Sequence, residues 1–379
     1  MPDLIGLGNG LINVVLLLVF LVILVLIHEF GHFIVARRAG VTVHEFGIGF
    51  PPRAKVLGTD KQGTIYTLNW LPIGGFVKLE GEEGESVDSK AFVNKPLRTR
   101  LLILLAGVTM NILLAFVVFS LIAGFADPVA DVRIAEVQPN TPAATVGLVG
   151  SNVISTDAEG RKTYDTSGDV IVAVDGLRFP IFDATEQLTP SLTYLRAHAG
   201  QQVTLTVRNA AGGIRDVVVT LRVPGPNEGP LGIVVHPRLV TDQVTHDPLT
   251  AITLGARRTV DAATVVLRGL GQLISNIANP PVSGPIGIAD AIGQIREIGQ
   301  PIFLLWLFGL LSANLAVVNV LPFPPLDGGR VAVALIQKVT GNRISVAAEH
   351  LAYLTGFILL MALLVWITLF DTGVLQRQI

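Results

Sequence analysis

Hydrophobic and polar positions fall into long blocks along this chain. Four stretches contain no Asp, Glu, Lys or Arg: Leu4–Ile27, Leu101–Ala126, Ile298–Leu326 and Leu351–Phe370. Each reaches or exceeds the roughly 20 residues that a helix needs to cross about 30 Å of hydrocarbon. The pattern predicts four membrane-crossing helices. The first has no basic flank before it and is too long for the apolar core of a secretory signal, so it is expected to be retained.

The blocks between the spans have other periods. Residues 41–95 hold two β-like stretches, Thr64–Trp70 and Gly75–Gly81, around the turn-forming Leu71–Gly75. Such a segment either offers an edge for strand addition or forms a self-contained hairpin. The acidic stretch Glu80–Asp88 after it reads as a solvated loop. From Asp131 to Pro224 the composition is that of a soluble β-rich domain, with strand-like runs VRIAEV, DVIVAVDG, QQVTLTVR and RDVVVTLRV between Gly, Asn and Pro turns. Residues 247–297 are amphipathic, with Arg257, Arg258 and Arg268 interrupting an apolar helical pattern that Asn279–Ala289 breaks. This reads as a helix on the membrane surface. No long-period repeat is evident.

Composition agrees with a membrane protein: half the residues are hydrophobic, 15% are charged and the mean hydropathy is +0.61. The net charge of -2 gives no support to nucleic-acid binding. With no cysteine, disulfides and thiolate metal sites are excluded, so any metal must use nitrogen and oxygen ligands. Ten Lys or Arg lie between Arg37 and Arg100, and Arg330, Lys338 and Arg343 lie between the last two spans. The positive-inside rule makes both segments cytoplasmic and leaves the termini and the 127–297 region outside.

Within these blocks one pentapeptide carries chemistry: His28-Glu29-Phe30-Gly31-His32. Positions four apart share a helix face, so both imidazoles can point at one metal ion, and Glu29 stands where it can polarise a metal-bound water. Ionisable groups at the end of an apolar helix are costly unless paired or ligating. Catalytic zinc takes three protein ligands and leaves a position for water. Topology favours Asp327 as the third, because spans one and three both run inward and end at similar depth. His44 lies in the cytoplasmic segment just beyond the first span and His350 at the mouth of the fourth, and His198, His236 and His246 fall on the outer side. The run Asn319–Asp327 ends its helix with three prolines. Freed carbonyls are tolerated in a membrane only where they are buried or line a wet cavity. With Asn319 and Asn314 on the same helix, this broken end reads as a polar site at membrane depth.

HEFGH in the first span, Ser283–Ala289 (SGPIGIA) and Ser312–Gly329 (SANLAVVNVLPFPPLDGG) together resemble bacterial site-2 proteases, in particular the regulator-of-sigma-E protease group. Thr141–Leu148 (TPAATVGL) and Gly168–Gly176 (GDVIVAVDG) look like the halves of a PDZ-domain core, separated here by an insert, Val149–Ser167. The resemblance covers nearly the whole chain. It implies a Zn2+-dependent protease that cuts transmembrane segments of single-span membrane proteins such as anti-sigma factors. It also implies Asp327 as third ligand and Asn319 as a substrate-backbone contact. Arg330 follows LDGG where a histidine is common, and one PDZ-like domain stands where some relatives have two.

The expected architecture is a polytopic α-helical protein of the inner (plasma) membrane. A first span with HExxH (1–38) leads into a cytoplasmic membrane-associated β segment (39–97) and a second span (98–127). An extracytoplasmic PDZ-like domain (128–226) and an interfacial region (227–297) follow. A third span with the LDG motif (298–330), a cytoplasmic link (331–349) and a fourth span (350–372) complete the chain. The alternative is an inactive scaffold that binds peptides through its PDZ-like domain. A transporter with a metal site at a broken helix would be expected to show internal repeat symmetry.

Overall fold

The computed structural model describes residues 4–82, 86–157, 160–181, 190–225, 228–236, 240–276, 280, 282–341 and 345–375. Its chain forms two compact units, one made of Met1–Ser120 with Thr253–Ile379 and the other of Leu121–Ile252.

The membrane unit begins with α1 (Leu4–Arg38). At 1.5 Å per residue its 35 residues extend about 52 Å, more than the hydrocarbon needs. The surplus brings Arg37 and Arg38 out at the C-terminal end, where cations complement the helix dipole. Arg37 pairs there with Asp60, and Tyr66 donates to the same carboxylate at 3.2 Å.

Two long, sharply bent strands follow, β1 (Val43–Thr59) and β2 (Ile65–Leu79). Phe46 pairs with both Tyr66 and Val77, and Ile48 with both Leu68 and Gly75. The arm 45–48 of β1 therefore lies between the two arms of β2, while Arg53–Thr59 turns back along Asn69–Ile65. Pro51 and Pro52 lack ladder donors and sit at the first bend, and Gly74 has a φ of 74° at the second. The two β-like stretches expected around Leu71–Gly75 thus do not pair with each other; both pair with 45–48. Phe50, Trp70 and Leu71 stand exposed at the bends.

After β2 comes α2 (Leu97–Phe125). Apolar burial joins α1, the sheet and α2 through Phe33, Val41, Val43, Leu79, Phe92 and Ile103. The segment Glu80–Asp88, expected as a solvated loop, is partly engaged. Glu80 accepts from His44 at 2.6 Å and from Ser86 at 2.6 Å, and Glu82 pairs with Arg330. Residues 83–85 of that stretch lie outside the described ones.

The β unit is built on β3 (Asp127–Val137). A short helix α3 (Pro142–Thr145) and a hairpin of β4 (Val153–Thr156) and β5 (Lys162–Tyr164) follow, the hairpin filling the insert between the two motifs. Then come β6 (Val170–Val174), α4 (Pro190–Ala197), β7 (Gln202–Arg208), β8 (Ile214–Thr220), β9 (Ile233–Val235) and β10 (Val240–Val244). The sheet runs β10-β3-β6-β7-β8, with β9 also on β3. Alternate residues of β7, namely Val203, Leu205 and Val207, point inward and pack with Ile134, Leu195 and Leu221. All four expected strand runs are strands. The strands β9 and β10 lie beyond those runs and return to β3.

The amphipathic helix α5 (Pro248–Ser275) leads to α6 (Pro285–Ile298), and residues 279 and 281 of the expected break are outside the described ones. Asp371 accepts the amides of Gly284 at 2.7 Å and Gly287 at 3.0 Å, satisfying donors that the start of α6 would leave open. Ala289 and Ile292 of α6 pack with Leu17, Leu24, Leu307 and Leu311. The helix α7 (Pro301–Val320) stops before Pro322, Pro324 and Pro325; α8 (Asp327–Thr340) and α9 (Val346–Asp371) complete the chain. Among the described residues α1, α2, α7 and α9 are long and apolar enough to cross a membrane.

Candidate metal centre

The donor atoms come from α1 and α8. Helical spacing sets His28 and His32 one above the other, with ring centroids 4.8 Å apart. The proline run ends α7 and lets α8 start at Asp327. His28 Nε2 lies 3.1 Å from His32 Nε2 and 2.9 Å from Asp327 Oδ2, which is 3.3 Å from His32 Nε2. Glu29 stands beside this triangle. Its carboxylate groups with the two imidazoles as a set able to hold a metal, and its Oε2 accepts the amide of Val77 at 3.0 Å.

Ring orientation shows what the triangle is built to hold. The carbonyl of Ile103 can only accept, so His32 Nδ1, 2.8 Å away, carries the proton and Nε2 presents its lone pair to the cluster. His28 Nδ1 faces the side-chain amide of Asn111 at 3.3 Å, while Asn111 Oδ1 is buried without a partner among the described residues. Exchanging the two amide atoms, which have nearly the same shape, gives Oδ1 a proton to accept from His28 Nδ1. Both rings then turn Nε2 lone pairs inward, beside a carboxylate oxygen. Three acceptors converging within 3.3 Å repel one another unless a cation lies among them. Tetrahedral zinc with bonds of about 2.0–2.1 Å separates its ligand atoms by roughly 3.3 Å, so the donor set fits.

The second helix supplies the wall. A Cβ on Gly107 would stand 2.4 Å from His32 Nε2 and 2.7 Å from His28 Nε2. Gly31, inside the HExxH pentapeptide, faces the same helix, where a Cβ would meet the Ala106 carbonyl oxygen at 2.4 Å. Glycine at both positions lets α1 and α2 approach closely enough to seat the imidazoles. Asn111, Gly107 and the Ile103 carbonyl were not anticipated from sequence. The signal available was a lone Asn in the uncharged run Leu101–Ala126.

The cluster opens into a cavity of about 760 Å³ lined by His28, Glu29, His32, Asn319, Asp327 and Arg330, among others. Asn319 is thus on its wall. Asn314 is not among the lining residues; five positions along a helix turn it about 140° away from Asn319. Of the other histidines, His44 pairs with Glu80 and His350 lines an adjoining cavity with Arg100, Glu349 and Tyr353. In the β unit His246 meets Asp127 at 3.0 Å, His198 stacks on Tyr194 and His236 lies beside Tyr164.

Apolar spans around an HExxH helix with a metal-ready donor set define a membrane-embedded metalloprotease. The sequence profile of peptidase family M50 matches residues 16–363. A Clostridium perfringens protein described as a candidate zinc metalloprotease is 33% identical over 353 residues, covering 92% of this chain and 95% of its own. Zinc metalloprotease RasP of Oceanobacillus iheyensis is 27% identical over 434 residues, covering 91% and 95%. The RasP of Geobacillus kaustophilus is 28% identical over 428 residues, covering 91% and 94%. The chain belongs to peptidase family M50 and is a zinc-dependent metalloprotease of the membrane. The peptide-binding scaffold is left without support.

Proposed function

We propose that this protease cuts peptide bonds within the spans of single-span membrane proteins of the anti-sigma-factor kind. His28, His32 and Asp327 hold the zinc, and Glu29 serves as the base. The observation that carries this reading is the triangle of inward-facing acceptors, 2.9 to 3.3 Å on a side, on helices that lie among apolar spans.

Zinc, when bound, supplies Lewis acidity to water and to the scissile carbonyl. Glu29 takes a proton from the attacking water and delivers it to the leaving amine. Substrate enters extended, because a helix keeps its carbonyls in intrahelical bonds. The 75–79 arm of β2 supports this: on one side it pairs with β1, and on the other the Val77 amide points at Glu29, where an added strand would lie beside the base. Asn319, on the cavity wall, donates its amide to the substrate backbone, and Asn314 has the weaker claim. The basic residues of 37–100 favour a cytoplasmic site in the plasma membrane, with the β unit outside. Its five-strand path with helices α3 and α4 suits a PDZ-like domain that filters substrates by the size of their outer parts or by exposed peptide ends. On this reading the two spans nearest the zinc flank the cytoplasmic segment 39–97, and 128–226 is the outer domain.

The test is the third ligand. Asp327→Asn keeps size and one oxygen but removes the charge, and is expected to lose most of its zinc by elemental analysis together with proteolysis of a model single-span substrate. Full zinc occupancy in that variant would place the third ligand elsewhere.

A further inference from the structure

Arg330 lies three residues beyond Asp327, in the first turn of α8. Its Nη1 donates to Glu82 Oε1, and its guanidinium carbon is 5.9 Å from the ring centroid of Tyr353 on α9. Glu82 stands three residues beyond the end of β2, and its Oε2 accepts the amide of Leu79 at 3.3 Å, folding the chain back on the strand. Two residues earlier, Val77 reaches Glu29. These contacts link Asp327 to Glu29 through Arg330, Glu82 and the 75–79 arm. Glu82 and Arg330 also line the cavity that holds both.

We infer that the Arg330–Glu82 ion pair is a positioning device that sets the register of a substrate strand against the metal ligands. The inference rests on the reading of the centre and of the 75–79 edge given above. An edge strand repeats its donors every second residue, and here the amides of Val77 and Leu79 are held by Glu29 and Glu82, so a strand that takes them over has alternative registers two residues apart with similar backbone bonding. Only one of them places a given carbonyl at the centre. Asp327 belongs to α8 and the edge to β2, and the pair joins α8 to the turn that Glu82 folds back onto the end of β2. The side chains are only 33% and 19% exposed, so water and salt screen them less than a surface pair. A guanidinium fork also holds a carboxylate in a narrower geometry than an ammonium does.

The experiment uses the full-length zinc-loaded protein in phosphatidylethanolamine–phosphatidylglycerol vesicles. The probe is a synthetic single-span peptide with a helix-weakened span, and its products are mapped by mass spectrometry. The natural chain is expected to cut one dominant bond. Glu82→Gln and Arg330→Gln should keep their zinc, lose on the order of ten- to a hundredfold in kcat, and spread cleavage to bonds two residues away. Arg330→Lys should recover part of the rate, and the exchanged pair Glu82→Arg with Arg330→Glu should recover the single dominant bond. Neutral variants that cut the natural bond at an undiminished rate would overturn the proposal. So would zinc loss in Arg330→Gln, which would make Arg330 a support of the ligand alone, or an exchanged pair no better than the single variants. Undiminished cleavage by Glu29→Gln would instead remove the reading of the centre, whatever the pair does.

Discussion

Each unit of the molecule holds an aspartate among basic neighbours, buried in the β unit and partly buried in the membrane unit, and the two are satisfied in different ways. In the β unit Asp131 has no exposed side-chain surface and meets Nη2 of Arg178 and of Arg208, each at 3.1 Å. Nearby Asp169 meets Arg215 at 3.1 Å. In the membrane unit Asp327 is 16% exposed and meets only ring nitrogens in its cluster, those of His28 and His32. A guanidinium is always charged and can only donate, so both Asp131 oxygens are paired by cations of the chain itself. An imidazole anchored through Nδ1–H offers a lone pair, so on the proposed ligand set the Asp327 cluster is one that a cation from outside would complete. The first arrangement is a structural tie and the second has the donors of a binding site, although both are carboxylates with basic neighbours.

The contrast can be broken most sharply at Glu29. Glu29→Gln is expected to lower cleavage of a model substrate on the order of 10² to 10⁴-fold while zinc content stays at the natural level. Residual activity near that of the natural chain would take the base away from this residue. The next effect concerns the wall of the centre. Gly107→Ala should improve the intrinsic helix propensity of α2 by about 1 kcal/mol, yet its methyl would enter the space of both Nε2 atoms. Zinc affinity should drop on the order of 10–100-fold, as for other residues that orient ligands, and competition with a chelator would measure it. Unchanged affinity would mean the imidazoles face elsewhere when loaded. The smallest effect belongs to the tie in the β unit. Asp131→Asn should cost about 1–3 kcal/mol there, because Arg178 and Arg208 keep some contact with water. Hydrogen exchange should rise in β3 and β10 with zinc content unchanged. If this variant also loses zinc, the two aspartates are not independent.

How much of this was legible in the sequence depended on the range of each interaction. The four spans follow from local composition, and all four appear. His28, Glu29 and His32 follow from helical spacing, a contact within one turn. Asp327 is 299 positions from His28, yet topology located it, because a membrane confines helix ends to two levels. Where no such confinement acts, the sequence was less informative. The sandwiching of 45–48 between both arms of β2 depends on bends at Pro51, Pro52 and Gly74 that periodicity does not encode. The partnership of Glu82 with Arg330 joins residues 248 apart, and a run of acidic residues alone looks like a solvated loop. Asn314, polar like Asn319, lies about 140° round α7 from it and is not among the residues that line the cavity.

The long separation between His28 and Asp327 also bears on how the enzyme is made. On the proposed ligand set, the two imidazoles enter the membrane with the first helix and the carboxylate arrives 299 residues later. At about 5–20 residues per second, roughly 15–60 s of synthesis pass between them. During that interval the growing chain carries two of its three ligands and cannot close a catalytic zinc site. If its substrates are membrane helices, as proposed, the protease stays inactive while its first three spans are being inserted beside one another.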